Sequence, residues 1–430
     1  MAKKARSILF ILLAGVLLFS VIGYLSASKI APGIVQKPTS SVVEKRDYKT
    51  LKDVKNASFF AGTAQDVFER YAADGVPMRD SLLYLNAAVQ RDAISCGALL
   101  NGISVYPTYY GSAYYEVSDM GFLVKSPDIA PQKQSEALKA WLDTLNAAAK
   151  RHPEISFAYV AVTESHQSEF NPIYDLKVGE FVDSAWVEAN VIDGLDSSID
   201  ASVDSISSTD EIPQTWFVND VHWSLERGLE TYNLAAEKLG LEHVSYQDPV
   251  EVVDEWHGGY SRVGLDKRYA ETLWDMPMDF SNLSFYKIKD DVLAKKKIDP
   301  GKRTETLASS SKKMKQSNEF QGYTAYYGTF NGLVVNDGEN NGRNCLLIGD
   351  SFTHCLKRYV ANNYANTYVI MPGNYTTNRS LEDYIEEYDI DDVLVITQAR
   401  KYGSVAETSP AFVGLKKSQG SQNAEDDVER

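Results

Sequence analysis

Two short motifs in this 430-residue chain hold residues that could act together on an ester. Gly349-Asp350-Ser351 contains a serine, and Asp220-Val221-His222-Trp223 contains a histidine two residues after an aspartate. A serine hydroxyl becomes a good nucleophile near neutral pH when a histidine takes its proton and a carboxylate orients the histidine ring. The sequence therefore predicts acyl-ester chemistry with Ser351 as nucleophile, His222 as base and Asp220 as the orienting carboxylate.

The sequence around each motif supports this hypothesis. Ser351 follows the apolar run Cys345–Ile348 and precedes a helical segment, which predicts a serine at the carboxyl end of a strand, where α/β sheets bind ligands. N–H groups at a helix start also suit a developing oxyanion. In an extended segment Asp220 and His222 would share one face. Two simpler explanations stay open: Ser351 as an ordinary helix N-cap, and a surface Asp-x-His without a role.

The pattern of the remaining elements predicts an α/β three-layer sandwich with a mostly parallel sheet. Near-continuous apolar runs are typical of strands buried on both faces, and helical segments alternate with them. The runs are Ile155–Val162, Cys345–Ile348, Tyr368–Met371 and Val393–Thr397. The predicted helices cover 132–150, 352–364, 380–388 and a segment from Ser224 to Gly240, while two more follow residue 64 with a turn at 75–77, and short strands are expected in 97–125.

The N-terminus predicts a membrane anchor. Three basic residues, at 3, 4 and 6, precede the uncharged run Ile8–Leu25, which at about 1.5 Å per residue is just long enough to cross most of a bilayer. The flanking positive charge keeps that end cytoplasmic, so the rest of the chain is expected outside the cytoplasm. A cleaved signal peptide is the alternative, although the run exceeds the roughly 7–15 residues of a usual signal-peptide core.

We expect residues 1–28 to form the cytoplasmic tip and anchor, 29–55 a stalk, 56–417 a single catalytic domain, and 418–430 a disordered acidic tail. A basic insertion at about 287–316 holds ten Lys or Arg against four acids in a chain of net charge −16. It is interpreted as a solvated loop or as a contact for an anionic cell-surface polymer.

Composition restricts the possible ligands. A net charge of −16 gives no electrostatic reason to bind nucleic acid. The three cysteines and six histidines lack the spacing of metal ligands, and no Gly-rich phosphate loop is present. We therefore expect no metal and no cofactor.

Taken together, the motifs resemble the DHHW family, which is similar to the alginate O-acetylation proteins AlgJ and AlgX within the SGNH hydrolase-like superfamily. The resemblance rests on GDSF after a buried strand, D-x-H-W upstream of it, FERYAADGVPMRDSLLYLNAAV and IEEYDIDDVLVI, and it covers most of residues 60–405. In that family the Asp-x-His element also precedes the serine. The second histidine of the family motif is replaced here by Val221.

The resemblance implies further site residues. The oxyanion would be bound by the N–H of Ser351, by Gly373 and by an asparagine, in whose place this chain has Gln398. Asp350, Trp223, Asn374 and Tyr375 are the expected substrate contacts.

The implied function is a membrane-anchored O-acyltransferase that moves acetyl onto a cell-envelope or secreted polysaccharide, beside a multi-pass membrane acyltransferase that supplies the acetyl group. A carbohydrate acetylesterase with the same triad and a non-catalytic polysaccharide-binding scaffold are the alternatives.

Overall fold

The computed structural model describes residues 39–44, 46–58, 62–131, 135–276, 278–287, 327, 332–338, 340–371, 379–398 and 412. The predicted anchor, residues 288–316 of the basic insertion and the acidic tail lie outside these residues. No helix in the described part of the chain combines the length and the hydropathy needed to cross a bilayer. The chain divides into two compact units. The single catalytic domain expected over 56–417 stays a prediction.

The first unit is mainly helical and comprises described residues up to Ile103 together with 107–112 and 262–266. Two helices, Thr63–Asp74 and Arg79–Leu100, confirm the predicted helical pattern and its break at residues 75–77. The elements are β1 Ser40–Ser41, β2 Arg46–Asp47, α1 Leu51–Asn56, α2 Thr63–Asp74 and α3 Arg79–Leu100.

Residues 39–55, which belong to the predicted stalk over 29–55, include short strands and a helix, and the stalk itself stays a prediction. Arg46 donates two hydrogen bonds of 2.8 Å to Asp74, whose side chain is fully buried. The N–H of Lys49 donates to the same carboxylate at 2.7 Å. The polar composition of this segment predicts that it is solvated. The buried carboxylate of Asp74 on α2 must be paired, however, so Arg46 and the N–H of Lys49 bind it.

The strands of the described residues form one large sheet and three small ones. In chain order they are β3 Val105–Pro107, β4 Tyr114–Val117, β5 Phe122–Lys125, β6 Ser156–Val162, β7 Ile199–Asp204, β8 Val250–Trp256, β9 Glu271–Asp275, β10 Leu283–Lys287, β11 Gly332–Asn336, β12 Asn344–Gly349, β13 Asn366–Ile370 and β14 Asp392–Gln398. The large sheet has the order β10-β11-β13-β12-β14-β6-β7. Its last five strands are parallel, and β10 and β11 are antiparallel.

The predicted strands are confirmed as strands covered on both faces. In β12, Cys345 and Leu347 belong to one hydrophobic cluster, and Leu346 and Ile348 belong to the other. Strands β6 and β14 divide their side chains in the same way. This alternation explains why the runs lack polar residues: neither face meets water.

Helices cover the two faces of this sheet and confirm the three-layer prediction. The helices beyond α3 are α4 Glu136–Arg151, α5 Ser184–Asn190, α6 Ile212–Thr215, α7 Leu225–Lys238, α8 Gly259–Val263, α9 Lys357–Asn363 and α10 Leu381–Glu387. Helices α7 and α9 contribute to one cluster, and α4 and α10 contribute to the other. The side chain of Ser224 accepts from the N–H of Arg227 at 3.2 Å, so the predicted cap of α7 is present.

We expect Arg46→Ala to loosen residues 39–58. The substitution leaves the buried Asp74 carboxylate without its main partner. Breaking a fully buried ion pair lowers the free energy of unfolding by about 3–5 kcal/mol. Because Arg46 is 24% exposed, we expect this variant to lose about 2 kcal/mol of stability. Limited proteolysis of the full chain should cut within 39–58 faster than in wild type. Lys55→Ala, an exposed position on α1, is the control, and equal cutting of both variants would contradict the folded assignment.

Candidate active site

Asp220 and His222 are in direct contact. Nδ1 of His222 lies 2.5 Å from Oδ1 of Asp220, and the backbone N–H of His222 donates to the same oxygen at 3.1 Å. Both residues are buried. The predicted pairing of this aspartate with this histidine is therefore present in the structure.

The backbone that produces the pairing differs from the expected extended strand. Trp216 and Trp223 form an antiparallel bridge, and the N–H of Phe217 donates to the carbonyl of His222 at 3.1 Å. The intervening residues turn back, and the Asp220 side chain closes the turn by accepting from the chain two residues later. Aspartate readily forms such a turn, so a local hydrogen bond replaces the alternation of an extended segment.

A Gly-Gly pair that the sequence analysis missed holds the other carboxylate oxygen. The N–H of Gly259 donates to Oδ2 of Asp220, and the N–H of Gly258 donates to Oδ1 of Asn219 at 3.0 Å. A Cβ at Gly258 would lie 2.5 Å from Cβ of Asp220. The loop can approach the aspartate only because it has no side chain there. The Gly-Gly dipeptide indicates a close approach of the backbone to another group. Nothing in the sequence shows that this group is Asp220, 39 positions earlier.

Asn219 fixes this loop from the other side. Its side-chain amide donates to the carbonyls of Trp256 and Tyr269 at 2.9 and 2.8 Å. Its own carbonyl accepts from the N–H of Tyr260 at 2.9 Å. Asn219 is fully buried. Its hydrogen bonds position the N–H of Gly259 so that Asp220 can accept a hydrogen bond from it.

These contacts keep Asp220 ionised. Burial acts to raise its pKa, but the adjacent His222 and the N–H of Gly259 outweigh burial and hold the pKa of Asp220 below its usual value. An ionised carboxylate at Nδ1 orients the imidazole, which leaves Nε2 as the nitrogen for proton exchange with a nucleophile.

Ser351 lies at the carboxyl end of β12, as predicted, and begins a short 3-10 turn, Ser351–His354, before α9 starts at Lys357. The turn is tight: a Cβ at Gly349 would lie 2.6 Å from Oγ1 of Thr353. The residues on either side of Ser351 are buried, whereas Ser351 is partly exposed. The expected continuous helix from residue 352 is therefore a 3-10 turn followed by a helix.

Asp350 provides the cap of this turn, so the explanation of Ser351 as an N-cap is not supported. Oδ1 of Asp350 accepts from the N–H of Phe352 at 2.9 Å. Its Oδ2 accepts from the N–H of Gln398 at 2.8 Å and from Oγ1 of Thr397 at 3.1 Å. The carboxylate thus joins the ends of β12 and β14, and its expected contact with substrate stays a prediction.

Phe352 packs the two motifs against each other. Its ring centroid lies 4.9 Å from that of His222 and 4.9 Å from that of Trp223. On α7, a Cβ at Gly228 would lie 3.2 Å from Sγ of Cys355, so the glycine permits close packing behind the turn. The residue after Ser351 is therefore beside the His222 ring, although the motifs are far apart in sequence. A Ser351–His222 hydrogen bond stays a prediction.

The other expected site residues fare differently. Trp223 is fully buried in the core, which argues against its expected contact with substrate. Gln398 ends β14 and is buried, and its backbone N–H is used by Asp350. Gly373, Asn374 and Tyr375 lie outside the described residues.

His166 and His152 are less suited than His222 to act as the base. The ring nitrogens of His166 lie 3.0 Å from Asp128 and 3.2 Å from Glu164, and the residue is fully buried. His152 lies between Glu382 and Glu154. With a carboxylate at each nitrogen, neither ring offers a second nitrogen to a serine. In the described part of the chain, no group of three or more His, Cys, Asp or Glu is arranged to hold a metal ion.

Solved structures with a similar fold are found at low sequence identity. A structure of Bacillus cereus PatB1 with a sulfonyl adduct superposes with a TM-score of 0.50 at 13% identity, covering 66% of this chain and 95% of that chain. Another PatB1 structure has a TM-score of 0.49 at 13% identity, covering 65% and 94%. A DHHW family protein from Eubacterium siraeum has a TM-score of 0.49 at 11% identity, covering 71% and 96%. No family model and no curated protein matches the sequence.

We expect Gly258→Ala to displace Asp220, because the new methyl group would overlap its side chain. Overpacking of this kind costs about 1–3 kcal/mol. Proton NMR should lose the low-field signal of the His222 Nδ1–H while circular dichroism stays near wild type. Gly97→Ala, where a methyl group meets nothing within 4 Å, is the control. An unchanged low-field signal in Gly258→Ala would contradict the positioning role.

Glu271 generates a prediction about pH. Its Oε2 accepts from the N–H of Asn219 at 3.1 Å. Burial raises the pKa of Glu271 to about 8 against the pull of the neighbouring N–H groups, and the charge of Asp220 adds to the rise. The folded state therefore binds this proton more tightly than the unfolded chain, whose glutamates have a pKa of about 4.3.

Stability from Glu271 should accordingly be full below about pH 4.3 and be lost as the pH rises to about 8. Glu271→Gln retains an acceptor and removes the titration. The free energy of unfolding of this variant relative to wild type should increase between pH 5 and pH 8.5 in urea titrations. Glu251→Gln, at an exposed position on β8, should show no such trend. A pH-independent difference for Glu271→Gln would refute the assignment.

Proposed function

We propose that this chain is an extracytoplasmic O-acyltransferase that transfers acetyl to a cell-envelope or secreted polysaccharide through an acyl-enzyme on Ser351. The observation that carries the proposal is the Asp220–His222 pair, whose imidazole packs on Phe352 directly after Ser351. The resemblance of the motifs to the DHHW family and to AlgJ and AlgX supplies the acyl group and the acceptor class.

The proposed chemistry has two balanced steps. Ser351 Oγ attacks the carbonyl carbon of the acetyl donor while its proton passes to Nε2 of His222. The tetrahedral intermediate then collapses: the bond to the leaving group of the donor breaks, that group takes the proton from His222, and Ser351 carries the acetyl ester. A sugar hydroxyl attacks the carbonyl carbon of this ester and gives its proton to Nε2 of His222. The bond between that carbon and Ser351 Oγ then breaks, Oγ takes the proton back from His222, and the acetylated sugar departs.

The oxyanion would be bound by the N–H of Ser351 together with Gly373 and Gln398. Because the backbone N–H of Gln398 already donates to Asp350, the donor from this residue would be its side-chain amide. A preorganised donor of this kind typically contributes about 10²–10³ in rate.

The location follows from the N-terminus. Ile8–Leu25 anchors the chain in the membrane with the catalytic unit outside the cytoplasm, where a multi-pass membrane acyltransferase supplies the acetyl group. The length of the apolar run and the positive charge that precedes it support this placement.

Ser351→Ala should reduce turnover of a nitrophenyl acetate to background, because it removes the atom that carries the acetyl group. His222→Ala should be nearly as severe, and Asp220→Asn should cost up to about 10⁴-fold. A sulfonyl fluoride should label Ser351 in wild type, detected by mass spectrometry; the similar PatB1 structure contains a sulfonyl adduct. Ser198→Ala, an exposed serine before β7, is the control. Full activity in Ser351→Ala would refute the triad.

An acceptor separates the transferase from the esterase. The two reactions share the acyl-enzyme and differ in whether a sugar hydroxyl or water attacks it. Adding an oligosaccharide should shift the product of the wild-type enzyme from free acetate to acetylated sugar. Release of acetate alone at every acceptor concentration would favour the esterase, and binding of the oligosaccharide without turnover would favour the scaffold.

A further inference from the structure

Helix α3 of the first unit presents an apolar face to solvent along most of its length. Leu82, Leu85 and Val89 are 45%, 60% and 63% exposed, and Leu99 and Leu100 near the other end are 82% and 80% exposed. A helix of 22 residues is about 33 Å long. Contiguous apolar surface of several hundred Å² usually marks a contact site on a protein.

The charges of α3 favour a protein over a lipid surface as the occupant. Helices that lie on membranes carry Lys or Arg along their polar flank. The two arginines of α3 are both used inside the unit: Arg79 lies 2.7 Å from Glu44, and the buried Arg91 lies 3.4 Å from Asp266. The exposed charge within the apolar face is negative, at Asp92, and would be repelled by anionic headgroups.

The apolar face is complementary to itself in an antiparallel arrangement. A twofold axis at the level of Arg91 would place Leu85 of one copy over Gly97 of the other and Val89 over Ala93. Each contact then occurs twice, as twofold symmetry requires. A Cβ at Gly97 would meet nothing within 4 Å, so the surface over this glycine is open to receive a leucine. A parallel pair would instead place the small residues against each other and leave a gap.

The charge balance of the unit permits such a contact. Its described residues hold eight Lys or Arg and nine Asp or Glu, whereas the whole chain has a net charge of −16. Two copies can therefore meet through this unit with less repulsion than the rest of the chain would impose. The two Asp92 carboxylates would lie about 3 Å apart along the helix axis, and the apolar contacts must outweigh their mutual repulsion.

We propose that the apolar face of α3 is the contact between two copies of this chain, with the two helices antiparallel. This inference does not depend on the proposed activity. Tethering both copies to one membrane would raise their effective concentration and favour the pairing.

Disulfide cross-linking tests both the contact and its direction. In the antiparallel pair, residue 86 of one copy faces Cys96 of the other, so the full-length Asn86→Cys protein in detergent should cross-link to a dimer under mild oxidation. Cys96 of the wild type should not, because the two copies of Cys96 would be about 15 Å apart along the axis, beyond disulfide reach. Cys96 is exposed and the other two cysteines are buried.

Matched variants complete the experiment. Adding Cys96→Ser to Asn86→Cys should abolish the dimer, and adding Leu85→Asp should reduce it at least tenfold while circular dichroism is unchanged. Val178→Asp, at a fully exposed valine outside α3, should leave cross-linking of Asn86→Cys as it was. If Leu85→Asp fails to fold, the Asn86→Cys and Cys96→Ser pair still decides the question.

Two outcomes would overturn the proposal. Efficient cross-linking of the wild type through Cys96 would indicate a parallel pair. A monomeric mass by light scattering with no cross-linking in Asn86→Cys would assign the apolar face to another occupant, and weaker vesicle binding of Leu85→Asp would then identify that occupant as lipid.

Discussion

The candidate site depends on the burial of one charge, the carboxylate of Asp220. A buried ionised group must be fully hydrogen-bonded, or it would become neutral. Its two oxygens accept from His222 and from the N–H of Gly259, so the need to satisfy the carboxylate fixes both the imidazole and the loop behind it. Asn219, the Gly-Gly pair and the turn between Trp216 and Trp223 are arranged around this requirement.

A second buried carboxylate organises the other half of the site. Asp350 joins the turn at Ser351 to the end of β14 through Gln398 and Thr397. The two halves meet through the ring of Phe352, which is in the hydrophobic cluster that also contains Trp216 and Trp223. Polar groups thus define each half, and apolar packing sets the relation between them. This division suits a catalytic site, since the polar contacts fix orientation while the packed core excludes water.

The parts predicted from sequence are those encoded locally. The parallel strands can be predicted because Cys345–Ile348 and similar runs must be apolar on both faces. The pairing of Asp220 with His222 can be predicted because the two residues are only two positions apart. The Gly259 contact and the fold of residues 39–55 depend on partners far along the chain, and a single sequence does not indicate which distant residues those partners are. The turn at Asp220 was mistaken for an extended segment because both place the side chains together.

The capping of the turn bears on what Ser351 can do. A serine whose side chain caps a helix uses its oxygen as an acceptor for a backbone N–H, and its proton transfer would then compete with the fold. Here the carboxylate of Asp350 accepts the N–H of Phe352 instead, so the turn does not require the Ser351 hydroxyl. The motif Gly-Asp-Ser therefore divides three roles among its residues. The glycine permits the close approach of Thr353, and the aspartate holds the turn. The serine is left on the partly exposed side, available for the chemistry that His222 could support.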